Sequence, residues 1–145
     1  MKKNNQKKIK IMYELDKIYE YLTQKNKDFD SILSSADDKL RDLESKSSRV
    51  STPLNFHFLL RIRFGRRYKK LDERLSDAEL VYDELVRKQG FMKPILQATD
   101  PILKDLLESK KLFDEWYQDA KNFVDSLDDI EKQFDYLDNR IQRVI

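Results

Sequence analysis

The last third of the chain repeats its apolar residues with a period of seven, which predicts a long helix. Alternating steps of four and three residues from Ile102 to Val144 reach thirteen positions, and Ser109 is the only polar residue among them. Such a period, kept over about six heptads, is typical of a helix that buries one stripe of side chains, here called its seam, against other helices. The third seam is therefore expected to be a packing surface.

The first segment shows the same pattern between Met12 and Val50. Additional isoleucines widen the apolar stripe, as expected for a helix that contacts two neighbours rather than one. This favours a bundle over a two-stranded coiled coil. The d positions of its heptads are all apolar, namely Leu15, Leu22, Phe29, Ala36, Leu43 and Val50.

Two features leave the continuity of this first helix open. Asn26 lies in the seam, where a polar side chain usually lowers stability and fixes the register or the number of partners. The alternative is a partly exposed kink. Ser34-Ser35 followed by Asp37-Asp38 can end one helix and cap the next, so the segment is either one helix or two.

Proline and glycine predict where the helices end. Pro53 is expected to stop the first helix, because proline disfavours the α conformation in the residue before it. Gly90 is expected to end the second helix, since glycine is common just past a helix end. Asp100 and Pro101 predict the start of the third helix through capping and a proline in the first turn.

The second segment has a clear seam only in its later part. In residues 55–64, apolar residues alternate with others, which is the pattern of a strand. A single strand has no partner in this chain, so we interpret these residues as a helix with a broad apolar face, and the strand remains the alternative. Gly65 is a point where a bend is tolerated. The later seam consists of Tyr68, Leu71, Leu75, Ala78, Tyr82 and Leu85.

These segments predict an all-α fold, an elongated antiparallel (up-down-up) bundle of three long helices with coiled-coil-like heptad packing. The helices cover about residues 5–50, 54–89 and 101–145 of one domain spanning residues 1–145, with a connector at 90–100. The third seam continues through Ile141, Val144 and Ile145 without a cap. We therefore expect either a longer protein or a partner at this end, and we predict self-association.

Residues suited to catalysis or metal binding are sparse. The chain has no cysteine and a single histidine, His57, which excludes thiolate metal sites and paired histidine ligands. Gly65 and Gly90 lie far apart, without a phosphate-binding loop. The carboxylates of the third segment lie beside its seam, where they lack the burial that shifts a pKa for acid–base catalysis. We predict a non-enzymatic protein that needs no cofactor and no metal.

The N-terminal residues argue for an intracellular protein. The start, MKKNNQKKIK, is basic, but charged residues interrupt the following apolar residues every few positions. Neither a signal peptide nor a transmembrane segment can be drawn from such a pattern. We expect a cytoplasmic or otherwise intracellular location.

The densest group of charges is the basic stretch, residues 61–70, with six cations and no acid. Phe64 and Tyr68 lie between the cations and would allow stacking on bases or insertion at a lipid interface, while the cations would contact phosphates. Alternatively, the stretch is a solvated face or pairs with the acidic third helix of its own or a neighbouring chain. The lysines of residues 2–10 would add a flexible basic arm. The candidate residues for binding an anion or a partner are Arg61, Arg63, Arg66, Arg67, Tyr68, Lys69 and Lys70.

The leading interpretation is a non-enzymatic interaction or scaffold module whose partner is another protein or a second copy of the chain. The alternative is a protein that binds anionic surfaces, either membrane lipid or nucleic acid, through the basic stretch. The candidate partner contacts outside the basic stretch are Phe91, Met92, Ile141, Val144 and Ile145.

Overall fold

Three long helices make up the computed structural model, which describes residues 2–56, 58–100 and 102–144. Helix α1 spans Lys2–Phe56, α2 spans Phe58–Leu96 and α3 spans Leu103–Val144. Their 55, 39 and 42 residues correspond to lengths of about 82, 58 and 63 Å. The predicted all-α bundle of three helices is confirmed.

Contacts between side chains fix the directions of the helices. Gln89 of α2 donates a hydrogen bond to Asp30, near the middle of α1, whereas Ser47, near the end of α1, donates to Asp72 in the first half of α2. Residue numbers thus fall along α2 as they rise along α1, so these two helices are antiparallel. Between α1 and α3 the numbers rise together, since Tyr21 contacts Asp114 and later residues of α1 contact later residues of α3. The order is therefore up-down-up.

The three seams pack against one another and form the core. In α1 every d position from Leu22 to Val50 is buried. In α3 the seam is buried from Leu106 to Ile141, apart from Trp116, which is half-buried. In α2 the buried residues are Leu60, Phe64, Leu71, Leu75, Ala78, Leu85 and Met92. The seams are thus covered within one chain over most of their length.

The helix ends lie elsewhere than proline and glycine predict. Helix α1 continues through Pro53 to Phe56, and α2 continues through Gly90 and Pro94 to Leu96. Each proline lies in a last helical turn, where it removes one intrahelical hydrogen bond but only two or three helical residues follow it. Beyond Gly90, α2 still buries Met92, which is 2% exposed, and this burial outweighs the helix penalty of glycine, about 1 kcal/mol.

The same continuity settles the other open points of the sequence. Helix α1 is not broken at Ser34-Ser35, because the buried Leu33 and Ala36 keep the seam in register there. Residues 58–64 are helical rather than a strand. The described residues of the connector are 97–100 and 102, so it begins later than predicted. The Leu106 amide donates to the Ile102 carbonyl at 3.0 Å at the start of α3. His57 and Pro101 lie outside the described residues.

Helix α1 reaches beyond the rest of the bundle at its N-terminal end. Residues 6–14 are all exposed, and Leu15 is the first residue that is partly covered. No helix in the described part of the chain contains a stretch apolar enough to cross a membrane.

Candidate anion-binding surface

The carboxylates of α3 form ion pairs mainly with α1 rather than with the basic stretch. Lys39 pairs with Asp128, and Arg49 lies 3.9 Å from Asp138. The single ion pair between α2 and α3 among the described residues joins Arg74 to Asp129 at 2.8 Å, outside the basic stretch. Among the described side chains, the acidic helix of the same chain therefore forms no ion pair with the basic stretch, and pairing with the acidic helix of a neighbouring chain stays a prediction.

Lys46 is the centre of the α1–α3 charge network. Its Nζ atom lies 2.9 Å from Asp135, 3.2 Å from Glu131 and 3.6 Å from Asp42, and its side chain is only 14% exposed. Burial by itself would lower the pKa of Lys46. Hydrogen bonds to Asp135 and Glu131 and their negative charges outweigh this effect, and the pKa is raised. These carboxylates are thus occupied by α1.

One end of the bundle is rich in cations that make no ion pair among the described side chains. Residues 58–71, the first turns of α2, carry six lysines and arginines and no acidic residue. The last turns of α3, residues 139–143, add two arginines and again no acid. The contact of Arg67 with Tyr136 and the antiparallel course of α2 and α3 bring these segments together. We call residues 58–71 and 139–143 the basic end.

The cations of the basic stretch are exposed to solvent. The ion pairs between described side chains involve none of them. Arg67 lies over the ring of Tyr136, with 5.0 Å between the guanidinium carbon and the ring centroid. Arg61, Arg66 and Lys69 line a shallow groove of about 400 Å³, and Ile62, Gly65, Tyr68 and the carboxylate of Asp72 complete its lining. A phosphate group in this groove would be within reach of several cations.

The two aromatic residues of the basic stretch are not free to stack on a ligand, in contrast to the prediction. Phe64 is 5% exposed and belongs to the core. Tyr68 is half-buried against the core, and its hydroxyl lies 3.3 Å from Ser47 Oγ. Both side chains follow the seam of α2, which accounts for their burial.

Three other apolar residues at the start of α2 are exposed instead. Phe58, Leu59 and Ile62, here called the apolar tip, are 73%, 80% and 66% exposed. The sequence contains a signal for this exposure, because steps of four from Tyr68 lead back to Phe64 and Leu60, both of which are buried. The remaining apolar residues of that segment must then lie on other faces of the helix.

The other predicted contact residues divide into exposed and buried ones. Phe91 is 61% exposed and remains available to a partner. Met92 and Ile141 are 2% and 0% exposed, so the prediction that they contact a partner is wrong. Both lie in seams that the chain covers itself. The predictions for the side chain of Val144 and for Ile145 lie outside the described residues.

The N-terminal lysines lie at the opposite end of the bundle from the basic stretch. The residues from Lys2 onward belong to α1 and do not form a flexible arm. Lys10 is separated from Ser47, which contacts Tyr68 of the basic stretch, by about 55 Å along the helix. These lysines therefore cannot contribute to the same local site.

Comparisons of the chain with protein-family models, with curated proteins and with solved structures find no match. Among the described residues, no three histidine, aspartate or glutamate side chains are grouped closely enough to hold a metal ion. The geometry of the basic end is thus the main guide to function.

Proposed function

We propose that the chain is a non-enzymatic, intracellular module that binds surfaces carrying closely spaced phosphate groups, and that it does so through the basic end. The observation that carries this proposal is the absence of any acidic residue from residues 58–71, whose six cations take part in none of the ion pairs between described side chains. A run of this kind gathered at one end of an elongated bundle produces a strongly positive local potential.

The distribution of ion pairs supports the proposal. Lys39, Lys46 and Arg49 of α1 pair with acidic residues of α3, and the cations of the basic stretch take part in none of the ion pairs between described side chains. Exposed cations that no carboxylate neutralises are free to displace the counterions of a phosphate array. Three of these cations, Arg61, Arg66 and Lys69, line the same groove beside Gly65, so one phosphate group could contact more than one of them.

A charge-reversal experiment tests the proposal. The combined variant Arg61→Glu, Arg66→Glu and Lys69→Glu should bind vesicles containing an anionic lipid about 100-fold more weakly than the unmodified chain, at roughly 1 kcal/mol per cation. On DNA, the slope of log K against log salt should become shallower by roughly three. Co-sedimentation and fluorescence anisotropy measure the two effects.

The matched control reverses three charges at the other end of α1. Lys7→Glu, Lys8→Glu and Lys10→Glu change the net charge by the same amount on exposed residues. This variant should bind anionic vesicles and DNA nearly as tightly as the unmodified chain. Equal losses in the two variants would mean that net charge, and not the basic end, determines binding, and absence of binding at low salt would refute the proposal.

Self-association is a second candidate, favoured by the uncovered start of α1. Ile9, Met12 and Tyr13 share one face of the helix and are 67%, 63% and 59% exposed. Met12 also lines a groove of about 570 Å³ between α1 and the connector. A second copy or another helical protein could continue the packing there.

Light scattering over a concentration series tests this second candidate. Met12→Glu should lower the apparent mass at high concentration if this face associates, while Leu80→Glu, a substitution at an exposed leucine of α2, should not. A mass equal to one chain at all concentrations would count against self-association.

A further inference from the structure

We infer that the anionic partner of the basic end is a lipid bilayer, and that the apolar tip enters its interfacial region. This inference rests on the proposed function and adds to it a class of partner and a mode of contact. It depends on Phe58, Leu59 and Ile62, which no electrostatic contact with phosphates requires.

The placement of the apolar tip on α2 is that of a helix suited to an interface. Leu60 and Phe64 face the core and are each 5% exposed, whereas Ile62 points to the opposite side of the helix. Phe58 and Leu59 lie on either side of Ile62 around the helix, and all three are exposed. The outer face of the first turns of α2 is therefore apolar.

Cations border this apolar face. Arg61 and Arg63 lie about 100° to either side of Ile62, and Arg66 lies one turn further along the outer face. All three arginines are exposed. Apolar residues in the centre with long cationic side chains at the borders let the apolar groups enter the boundary between headgroups and acyl chains, while the guanidinium groups remain at the phosphates.

The apolar tip also distinguishes a bilayer from a nucleic acid. Bases offer flat faces to aromatic rings, but of the apolar tip Phe58 alone is aromatic and Leu59 and Ile62 are aliphatic. Phe64 is buried and Tyr68 is half-buried against the core. A nucleic acid would leave most of the apolar tip in water. A bilayer removes the apolar tip from water and places lipid phosphates next to the arginines, so it accounts for both the apolar and the cationic part of this surface.

The decisive experiment removes the apolar tip and keeps every charge. Phe58→Ser, Leu59→Ser and Ile62→Ser are combined, and binding is measured by co-sedimentation with phosphatidylcholine vesicles containing about 30% phosphatidylserine. Each large side chain that leaves water contributes roughly tenfold, so the variant should bind at least about 100-fold more weakly. The control is Leu80→Ser, which alters a 68% exposed leucine on the same outer face, farther from the turn.

A second experiment measures how deeply the apolar tip enters the bilayer. The chain has no cysteine, so Ile62→Cys and Leu80→Cys each accept a single spin label. On vesicles the label at position 62 should become accessible to oxygen and protected from a water-soluble nickel complex, whereas the label at position 80 should stay in water. Circular dichroism verifies that the variants are folded, which is expected because the altered side chains lie outside the core.

Each outcome bears on one proposal or on both. Loss of vesicle binding in the serine variant, together with a buried label at position 62, supports the inference. Unchanged vesicle binding, or a label at position 62 that remains in water, overturns it and leaves the electrostatic function standing. Binding to DNA but not to vesicles also overturns the inference while the proposed function survives. If the unmodified chain binds neither, both fail.

Discussion

Replacing Lys46 by methionine is expected to destabilise the bundle by about 2 kcal/mol. Lys46 makes two close contacts with α3, at 2.9 Å to Asp135 and 3.2 Å to Glu131. Charge-assisted hydrogen bonds are worth about 1.5–3 kcal/mol when buried, and exposed ion pairs about 0–1 kcal/mol. The carboxylates are 49% and 34% exposed, so each contact is expected to contribute about 1 kcal/mol. Methionine preserves the packing of the aliphatic stem.

Urea unfolding followed by far-ultraviolet circular dichroism measures this change in the free energy of unfolding. In a thermal scan, the melting temperature of the variant should be lower by about 6 °C, given roughly 3 °C per kcal/mol for a chain of this size. Arg41→Met is the matched control, because Arg41 pairs with Asp37 at 3.1 Å within α1 and is 76% exposed. Its loss should stay below about 0.5 kcal/mol.

The pH dependence gives the prediction a second test. The pKa of Lys46 is raised in the folded state above its usual value of 10.5, so its contribution to stability is complete below that value and is lost as the pH rises through the folded-state pKa. The difference between the unmodified chain and Lys46→Met should therefore shrink in strongly alkaline solution. If Lys46→Met loses no more stability than Arg41→Met at neutral pH, the network does not hold α1 to α3.

Three further substitutions test other parts of the bundle. Gly90→Ala should stabilise the chain by about 1 kcal/mol in urea unfolding, because Gly90 lies inside α2 and an added Cβ meets no atom within 4 Å; destabilisation would contradict this helix assignment. A hydrogen bond with Glu44, partial burial and neighbouring carboxylates raise the pKa of Glu79. The ionised form of Glu79 is therefore disfavoured in the folded state, and Glu79→Gln should stabilise the chain by about 0.5 kcal/mol at pH 7. In the unmodified chain, protonation of Glu79 removes this penalty as the pH falls towards about 4, and the variant should lack that contribution to the pH dependence of stability. An unchanged pH profile would refute this reasoning. Asn26→Leu should raise the melting temperature by a few degrees, since Asn26 Oδ1 is buried without a hydrogen-bond partner among the described residues, and a lower melting temperature would show that the amide is needed.

The sequence was sufficient to predict the core because the seam pattern and the final packing obey the same period. Spacing alone places Leu22, Phe113 and Leu137 in seams, and all three are at most 1% exposed. The helix ends were harder to predict, since they depend on packing. The seam of α2 continues from Leu85 in steps of four and three to Met92, and that continuation overrides Gly90.

The candidate site could be predicted only in part. Its cations are visible as an acid-free stretch, but their availability depends on which helix the carboxylates of α3 face. That choice is made by the packing of three helices, in which Lys46 and Arg49 of α1 occupy those carboxylates. The exposure of Phe58 and Leu59 likewise depends on where α1 turns back into α2, which a period of seven does not specify.

The bundle follows the local rules of folding along most of its length and breaks two of them at the basic end. Around Lys39, Lys46 and Arg74, cations of one helix meet carboxylates of another. Along the basic stretch the cations repel one another and take part in none of the described ion pairs, and the large apolar side chains of the apolar tip are exposed to water. Neither feature contributes to stability, and charge repulsion lowers it. Both would become favourable against a surface that is negative outside and apolar beneath, and this is the reason for proposing a lipid bilayer as the partner.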